Sequence, residues 1–159
     1  MDEHAAGLTH LTESGEVHMV DVSAKSVAAR TAIAEAHVAL SRSVREMVFS
    51  GELPKGDALA VVRVAAIMGA KSTPQLIPLC HPVGLDAVEV EVEPTETGAR
   101  IVVTARVEGR TGVEMEAMTG AAVGAVTLYD MIKGVDRGAV IGPVQLLSKS
   151  GGSSGEWRR

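Results

Sequence analysis

A chain of 159 residues, 46% hydrophobic and 22% charged, is long enough for one domain with its own core. Its formal net charge of −5 excludes a general nucleic-acid surface, and an aromatic inventory of Phe49, Tyr129 and Trp157 all but excludes a base-stacking platform. The single cysteine, Cys80, forbids an intrachain disulfide; with no signal peptide at the N-terminus and no apolar run able to span a bilayer, a cytoplasmic location is expected.

Residues 1–17 are polar, lack a hydrophobic period and read as a flexible N-terminal arm. Residues 28–40 admit two readings. Their alanines favour a helix, but Thr31, Ile33, Glu35 and His37 alternate with Ala32, Ala34, Ala36 and Val38, and the strand is preferred. Residues 41–50 read as a short helix, and 57–71 as a longer one with Asp57 near its N-terminus. Val88, Val90 and Val92 alternate with Glu89, Glu91 and Glu93, which predicts a strand with one wet face. Ile101, Val103, Ala105 and Val107 predict a second, and Pro94–Gly98 is turn chemistry joining the two as a hairpin. Met115, Met118, Ala122, Val126, Tyr129 and Ile132 recur at helical spacing over 114–133, with Gly134 as a stop. A last strand over 139–147 bends near Gly142-Pro143, and 151–159 is a Gly/Ser-rich tail whose end reads as flexible. Strand, helices, strand, strand, helix, strand is an α+β, split βαβ order. It predicts an antiparallel sheet with helices packed on one face, in one domain over 18–150.

Cations are mostly arginine, ten against five lysines: Lys25, Lys55, Lys71, Lys133 and Lys149. Lysine can exchange its proton where arginine cannot, so lysines kept in glycine-rich contexts, as Lys55, Lys133 and Lys149 are, stand out against the plain alternative of solvated surface charge. Asp130 and Lys133 share a helix face, which an ordinary surface ion pair also explains. Glu114 and Glu116 sit at a helix start, where the dipole favours acids, yet they lie among apolar neighbours, and buried carboxylates often mark sites. Cys80-His81-Pro82 admits a buried thiol with a capping histidine, a zinc ligand pair or a nucleophile; a polar substrate contact by His81 is preferred, because no second cysteine or suitably spaced histidine exists. Phosphate-binding loops and dinucleotide fingerprints are absent.

Taken together, Met19–Lys25, Leu76-Ile77-Pro78-Leu79-Cys80-His81-Pro82, Thr111-Gly112-Val113-Glu114-Met115-Glu116-Ala117, Leu128–Lys133 and Ile141–Gly152 resemble the cyclic pyranopterin monophosphate synthases. This is the MoaC family, the C protein of the first stage of molybdenum cofactor biosynthesis. The resemblance implies a ferredoxin-like fold, a homohexamer built as a trimer of dimers, and a lyase reaction. In that reaction 3′,8-cyclo-7,8-dihydroguanosine 5′-triphosphate, supplied by a radical S-adenosylmethionine enzyme, becomes cyclic pyranopterin monophosphate plus diphosphate. It implies Lys55, Asp130 and Lys133 as catalytic residues. Leu79, Cys80, His81, Glu114, Met115, Glu116, Arg30 and Lys149 would bind substrate. No metal site or resident cofactor is expected; Mg2+ would enter, if at all, with the triphosphate.

Charge chemistry divides these roles. Arg30 and Lys149 suit phosphates, while Glu114, Glu116 and His81 suit guanine-type donors and hydroxyls. Glu114 and Lys133 are nineteen residues apart, about 28 Å on a continuous helix. Either the helix breaks near Gly120 or Gly124, or two subunits share the site at their interface, which is preferred, with those glycines allowing close approach of helices there. The competing classes are a non-catalytic pterin- or nucleotide-binding assembly protein and a metal hydrolase on Cys80 and His81.

Overall fold

The structure, a computed structural model, describes Thr12 and residues 14–159 apart from Ser154. The arm expected over 1–17 therefore lies largely outside the described residues.

Strand β1 (Ala28–Ala39) settles the ambiguous segment as a strand. Its period of two places Ala32, Ala34, Ala36 and Val38 on one face, where all are buried. Helices α1 (Arg42–Ser50) and α2 (Ala58–Lys71) follow. Asp57 caps α2, its side chain accepting from the Ala60 amide at 3.0 Å. A four-residue helix, α3 (Thr73–Leu76), escaped the sequence reading because Pro74 begins it and no apolar period fits so short a turn. Strands β2 (Ala87–Thr95) and β3 (Gly98–Gly109) form the expected hairpin, but they run further than expected. Pro94 lies inside β2, which is tolerated because β2 is the sheet edge, and the turn shrinks to Glu96-Thr97.

Helix α4 (Glu114–Ile132) and strand β4 (Val140–Ser150) complete the split βαβ pattern. Trp157–Arg158 then form β5, paired with Ser148 and Lys149. This corrects the expectation of a flexible tail end: Gly151, Gly152 and Gly155, all at positive φ, turn the chain back onto β4. The antiparallel sheet has the order β2-β3-β1-β4-β5, and α2 and α4 pack together on one of its faces. The architecture is α+β and ferredoxin-like, as expected.

Two readings of α4 need correction. Its buried stripe is Ala117, Ala121, Gly124, Ala125, Leu128 and Ile132, whereas Met115 and Val126 are exposed. A helix wedged between a sheet and a neighbouring helix needs small residues at the contact, so the larger apolar residues do not mark the inner face. The helix also does not break. Gly120 and Gly124 make room within the chain: a Cβ on Gly120 would lie 3.0 Å from the Ala66 carbonyl oxygen, and one on Gly124 would lie 3.3 Å from Ile101 Cγ2. Gly120→Val is expected to lower the unfolding free energy by about 1–3 kcal/mol through overpacking. Chemical denaturation would check this, and an unchanged midpoint would refute the packing role.

The sheet face away from the helices carries a buried acid, Glu35. Arg100 Nε donates to it at 2.5 Å and Gln145 Nε2 at 2.6 Å, and His37 lies 3.2 Å away. Desolvation pushes its carboxyl up, but these hydrogen bonds outweigh it and hold the group below its ordinary range. None of the helices among the described residues is long and apolar enough to cross a membrane.

Candidate active site

The expected site residues fall into two groups at opposite ends of α4. The first surrounds the N-terminus of α4, where a cleft of about 310 Å3 is lined by Leu79, Cys80, His81, Glu114, Met115 and Glu116, together with Thr111, Gly112 and the segment Val20–Lys25. The loop after α3 brings Leu79-Cys80-His81 to the helix end, and the end of β3 brings Thr111-Gly112. Gly112 leaves room here for the Glu114 carboxylate, which a Cβ at that position would displace.

Arg30 and Lys149 border this region without being among the cleft-lining residues. Arg30 Nε donates to the Gly109 carbonyl at 2.9 Å and its Nη2 to that of Arg110 at 3.2 Å. Gly152, at φ 75°, leaves room for its guanidinium, which a Cβ there would displace. Lys149 Nζ lies 3.3 Å from Glu114 Oε1.

The electrostatics differ within the cleft. Burial pushes the Glu116 carboxyl up; its own backbone amide opposes this, and the charge on Glu114 adds to it. Cys80 is likewise pushed up by burial and then by Glu116, so its thiol stays protonated and is a poor nucleophile. His81 Nε2 is 2.7 Å from the Val20 carbonyl oxygen. A carbonyl only accepts, so Nε2 carries the proton, and in the neutral ring Nδ1 is left as an acceptor. That bond also withdraws Nε2 from metal ligation. No group of three or more His, Cys, Asp or Glu side chains among the described residues is placed to hold a metal ion.

Glu116 makes stability depend on pH. Its folded-state value lies above the ordinary 4.5, so the folded chain binds this proton more tightly than the unfolded chain does. Its contribution is full below the ordinary value and is lost as pH rises through the folded value. Glu116→Gln is expected to flatten that decline, read from urea midpoints at about pH 4 and about pH 7. A parallel downward shift at both pH values would contradict it.

The second group is Lys55, Asp130 and Lys133. Pro54-Lys55 occupies a turn closed by the Gly56 amide on the Leu53 carbonyl at 2.9 Å; Leu53 is buried and Gly56 has φ 94°. The turn projects Lys55 to the far end of α4, where its Nζ donates to Asp130 Oδ2 at 3.0 Å and to the Asp130 carbonyl at 2.7 Å. Lys133, just past the last helical turn, reaches Asp130 Oδ1 at 2.6 Å. Lys133 and then Lys55 hold the Asp130 carboxyl below its ordinary range, and Asp130 raises Lys133 in turn. Lys133 therefore rests as an ammonium ion. All three side chains are exposed.

The nineteen residues of α4 span about 28 Å, so in one chain the two groups do not meet. The sequence reading missed the lining residues Val20, Val22, Lys25, Thr111 and Gly112. Their signal was their place in the matched segments, not any chemistry that a single residue displays.

The family model of the MoaC family matches residues 19–152. Proteins named cyclic pyranopterin monophosphate synthase are similar along nearly the whole chain. The one from Corynebacterium efficiens is 52% identical over 94% of this chain and 97% of its own. The one from Thermomicrobium roseum is 53% identical over 97% of this chain and 94% of its own, and that from a Nocardioides species is 48% identical over 100% and 99%. On this full-length agreement, which takes in both ends of α4, the chain belongs to the MoaC family.

Proposed function

We propose that the chain is a cyclic pyranopterin monophosphate synthase, a phosphorus–oxygen lyase of molybdenum cofactor biosynthesis. It converts 3′,8-cyclo-7,8-dihydroguanosine 5′-triphosphate to cyclic pyranopterin monophosphate and diphosphate. The observation that carries this reading is a recognition cleft at one end of α4 and a Lys–Asp–Lys cluster at the other, in a chain of this family.

Rearranging a purine-derived skeleton requires proton transfers, and releasing diphosphate requires cations near the leaving oxygens. Glu116, whose carboxyl is pushed up by burial, is suited to donate as well as accept toward the guanine-derived ring, and His81 Nδ1 accepts in the neutral ring. Lys133, held as ammonium by Asp130, acts as a proton donor, with Lys55 the second acid–base group. Arg30 and Lys149 stand at the phosphate side, and Cys80, Leu79 and Met115 supply shape.

The length of α4 favours sites shared between subunits of a homohexamer arranged as a trimer of dimers. Gly120 and Gly124 are spent inside the chain, so the approach of copies relies on other surfaces. The substrate comes from an upstream radical S-adenosylmethionine enzyme, and the setting is the cytoplasm. No resident cofactor is required, and Mg2+ enters only with the triphosphate. Adding the cyclised nucleotide to purified protein and following diphosphate tests the reading. Binding without release would identify an assembly protein instead, and a stoichiometric bound metal would favour the hydrolase class.

A further inference from the structure

The C-terminal end of α4 departs from regular helix geometry. In a regular helix the Asp130 carbonyl would accept from the amide four residues on, that of Gly134. Here the chain leaves the axis too early for that. The Lys133 amide still donates to the Tyr129 carbonyl at 2.9 Å, but the Val135 and Asp136 amides both turn to the Ile132 carbonyl, at 2.8 and 2.9 Å. Among the described residues no backbone amide beyond the helix reaches the Asp130 carbonyl, and the Lys55 ammonium donates to it instead at 2.7 Å. The path of residues 133–138 therefore decides whether Lys55 has a main-chain acceptor beside the Asp130 carboxylate.

Two side chains fix that path. Asp136 Oδ1 accepts from the Gly138 amide at 2.9 Å, closing a turn over Arg137. The Tyr129 hydroxyl donates to the Arg137 carbonyl at 3.1 Å and ties that turn back to the helix. Tyr129 is the chain's single tyrosine, and it is half-buried. A ring needed only for packing could be phenylalanine; the hydroxyl is what spans from the last turn of α4 to the loop beyond it. Tyr129 precedes Lys133 by four residues and Asp130 precedes it by three, so both flank the lysine on its side of the helix. Tyr129 is near enough to act on the Lys133 ammonium, adding to the larger effect of Asp130. From its separate turn, Lys55 faces the same carboxylate.

We propose that Tyr129 is a positioning residue for the Lys55–Asp130–Lys133 cluster: its bond to the Arg137 carbonyl holds the chain after α4 folded back, which keeps Lys133 beside Asp130 and leaves the Asp130 carbonyl open to Lys55. Tyr129 acts through the two lysines rather than on substrate. The catalytic part of those lysines rests on the function proposed above, but their placement by Tyr129 does not.

The test is acetylation of the full chain by acetic anhydride, with the rate at each lysine read by mass spectrometry relative to Lys71 on α2. In Tyr129→Phe, Lys55 and Lys133 are expected to react about fivefold to tenfold faster than in wild type, the scale of one lost hydrogen bond. In an Asp130→Asn background the same substitution should add little, because the partner that Tyr129 keeps in place is already gone. Asp136→Ala loosens the same turn without touching the ring and should speed the same two lysines, which keeps the test decisive should the phenylalanine variant unfold. Kinetics with the cyclised nucleotide give a second readout. In Tyr129→Phe kcat should fall about tenfold with KM little changed, and the alkaline limb of the kcat profile should move to lower pH, since pairing with Asp130 is what raises Lys133. Equal labelling in wild type and the folded variants, or a gain that Asp130→Asn leaves in full, overturns the proposal whatever the activity. Labelling as expected in a chain whose wild type releases no diphosphate overturns only the activity.

Discussion

Lys133→Arg is expected to leave a folded chain that still binds the cyclised nucleotide but releases diphosphate about 10²-fold or more slowly, the scale of one lost acid–base group. The geometry makes this a clean substitution. Lys133 is exposed and one residue past the helix, so no packing is disturbed. Arginine keeps the positive charge that Asp130 pairs with and that the C-terminal end of α4 favours. What it cannot do at neutral pH is give up a proton. Asp130 already raises Lys133, so the native ammonium gives up its proton only where a developing base on the substrate takes it, and that step is the one removed. Steady-state kinetics separate the outcomes: a fall in kcat with KM little changed fits proton transfer. Near-normal kcat would make Lys133 a purely electrostatic clamp. Asp130→Asn should then differ in kind, releasing both Lys55 and Lys133 from their common partner.

Glu114→Ala and Lys133→Ala chains are each expected to be nearly inactive alone and to regain about a quarter of wild-type activity when unfolded and refolded together in equal amounts. Random pairing makes half of the dimers mixed. In each mixed dimer one site receives both intact ends and the other receives neither. The expectation comes from a rigid dimension: Glu114 stands at the start of α4, Lys133 follows its last residue, and the helix is unbroken through Gly120 and Gly124. Native mass spectrometry would show whether mixed assemblies form. If they form freely and activity stays absent, each site is complete within one chain.

Much of the fold could be read from periodicity. β1, β2 and β3 each put small or branched apolar residues on alternate positions; these rows are buried in β1 and β3, and in β2 Val92 is buried and Val88 and Val90 partly so. What periodicity could not supply was the inner face of α4. Hydrophobic size points to Met115 and Val126, yet close packing against α2 selects alanine and glycine, whose weak hydrophobic signal hides the stripe. The end of the tail was misread for a related reason: glycines at positive φ look like slack in a sequence and act as turns in a structure.

The candidate site residues stood out as a set and poorly so one by one. Asp130 and Lys133 look like any surface pair until Lys55 arrives from seventy-five residues away, a meeting no local spacing announces. Glu116 resembles a dipole-favoured acid, and only its burial separates it from Glu114 beside it. Lys25 showed itself only through its place in the matched Met19–Lys25 segment, since that segment meets the cleft through a bond between Val20 and a histidine some sixty residues on.

Helix α4 also sets a tolerance on the chain that no side chain at either tip reveals. One residue inserted between Gly124 and Leu128 would advance everything after it by about 1.5 Å and swing Asp130 and Lys133 by about 100° around the axis. Lys55, fixed to a separate turn, would not follow, and the cluster would come apart although every functional side chain remained. The helix therefore serves as a gauge bar: its residue count belongs to the proposed active site as fully as the lysines and carboxylates it holds apart.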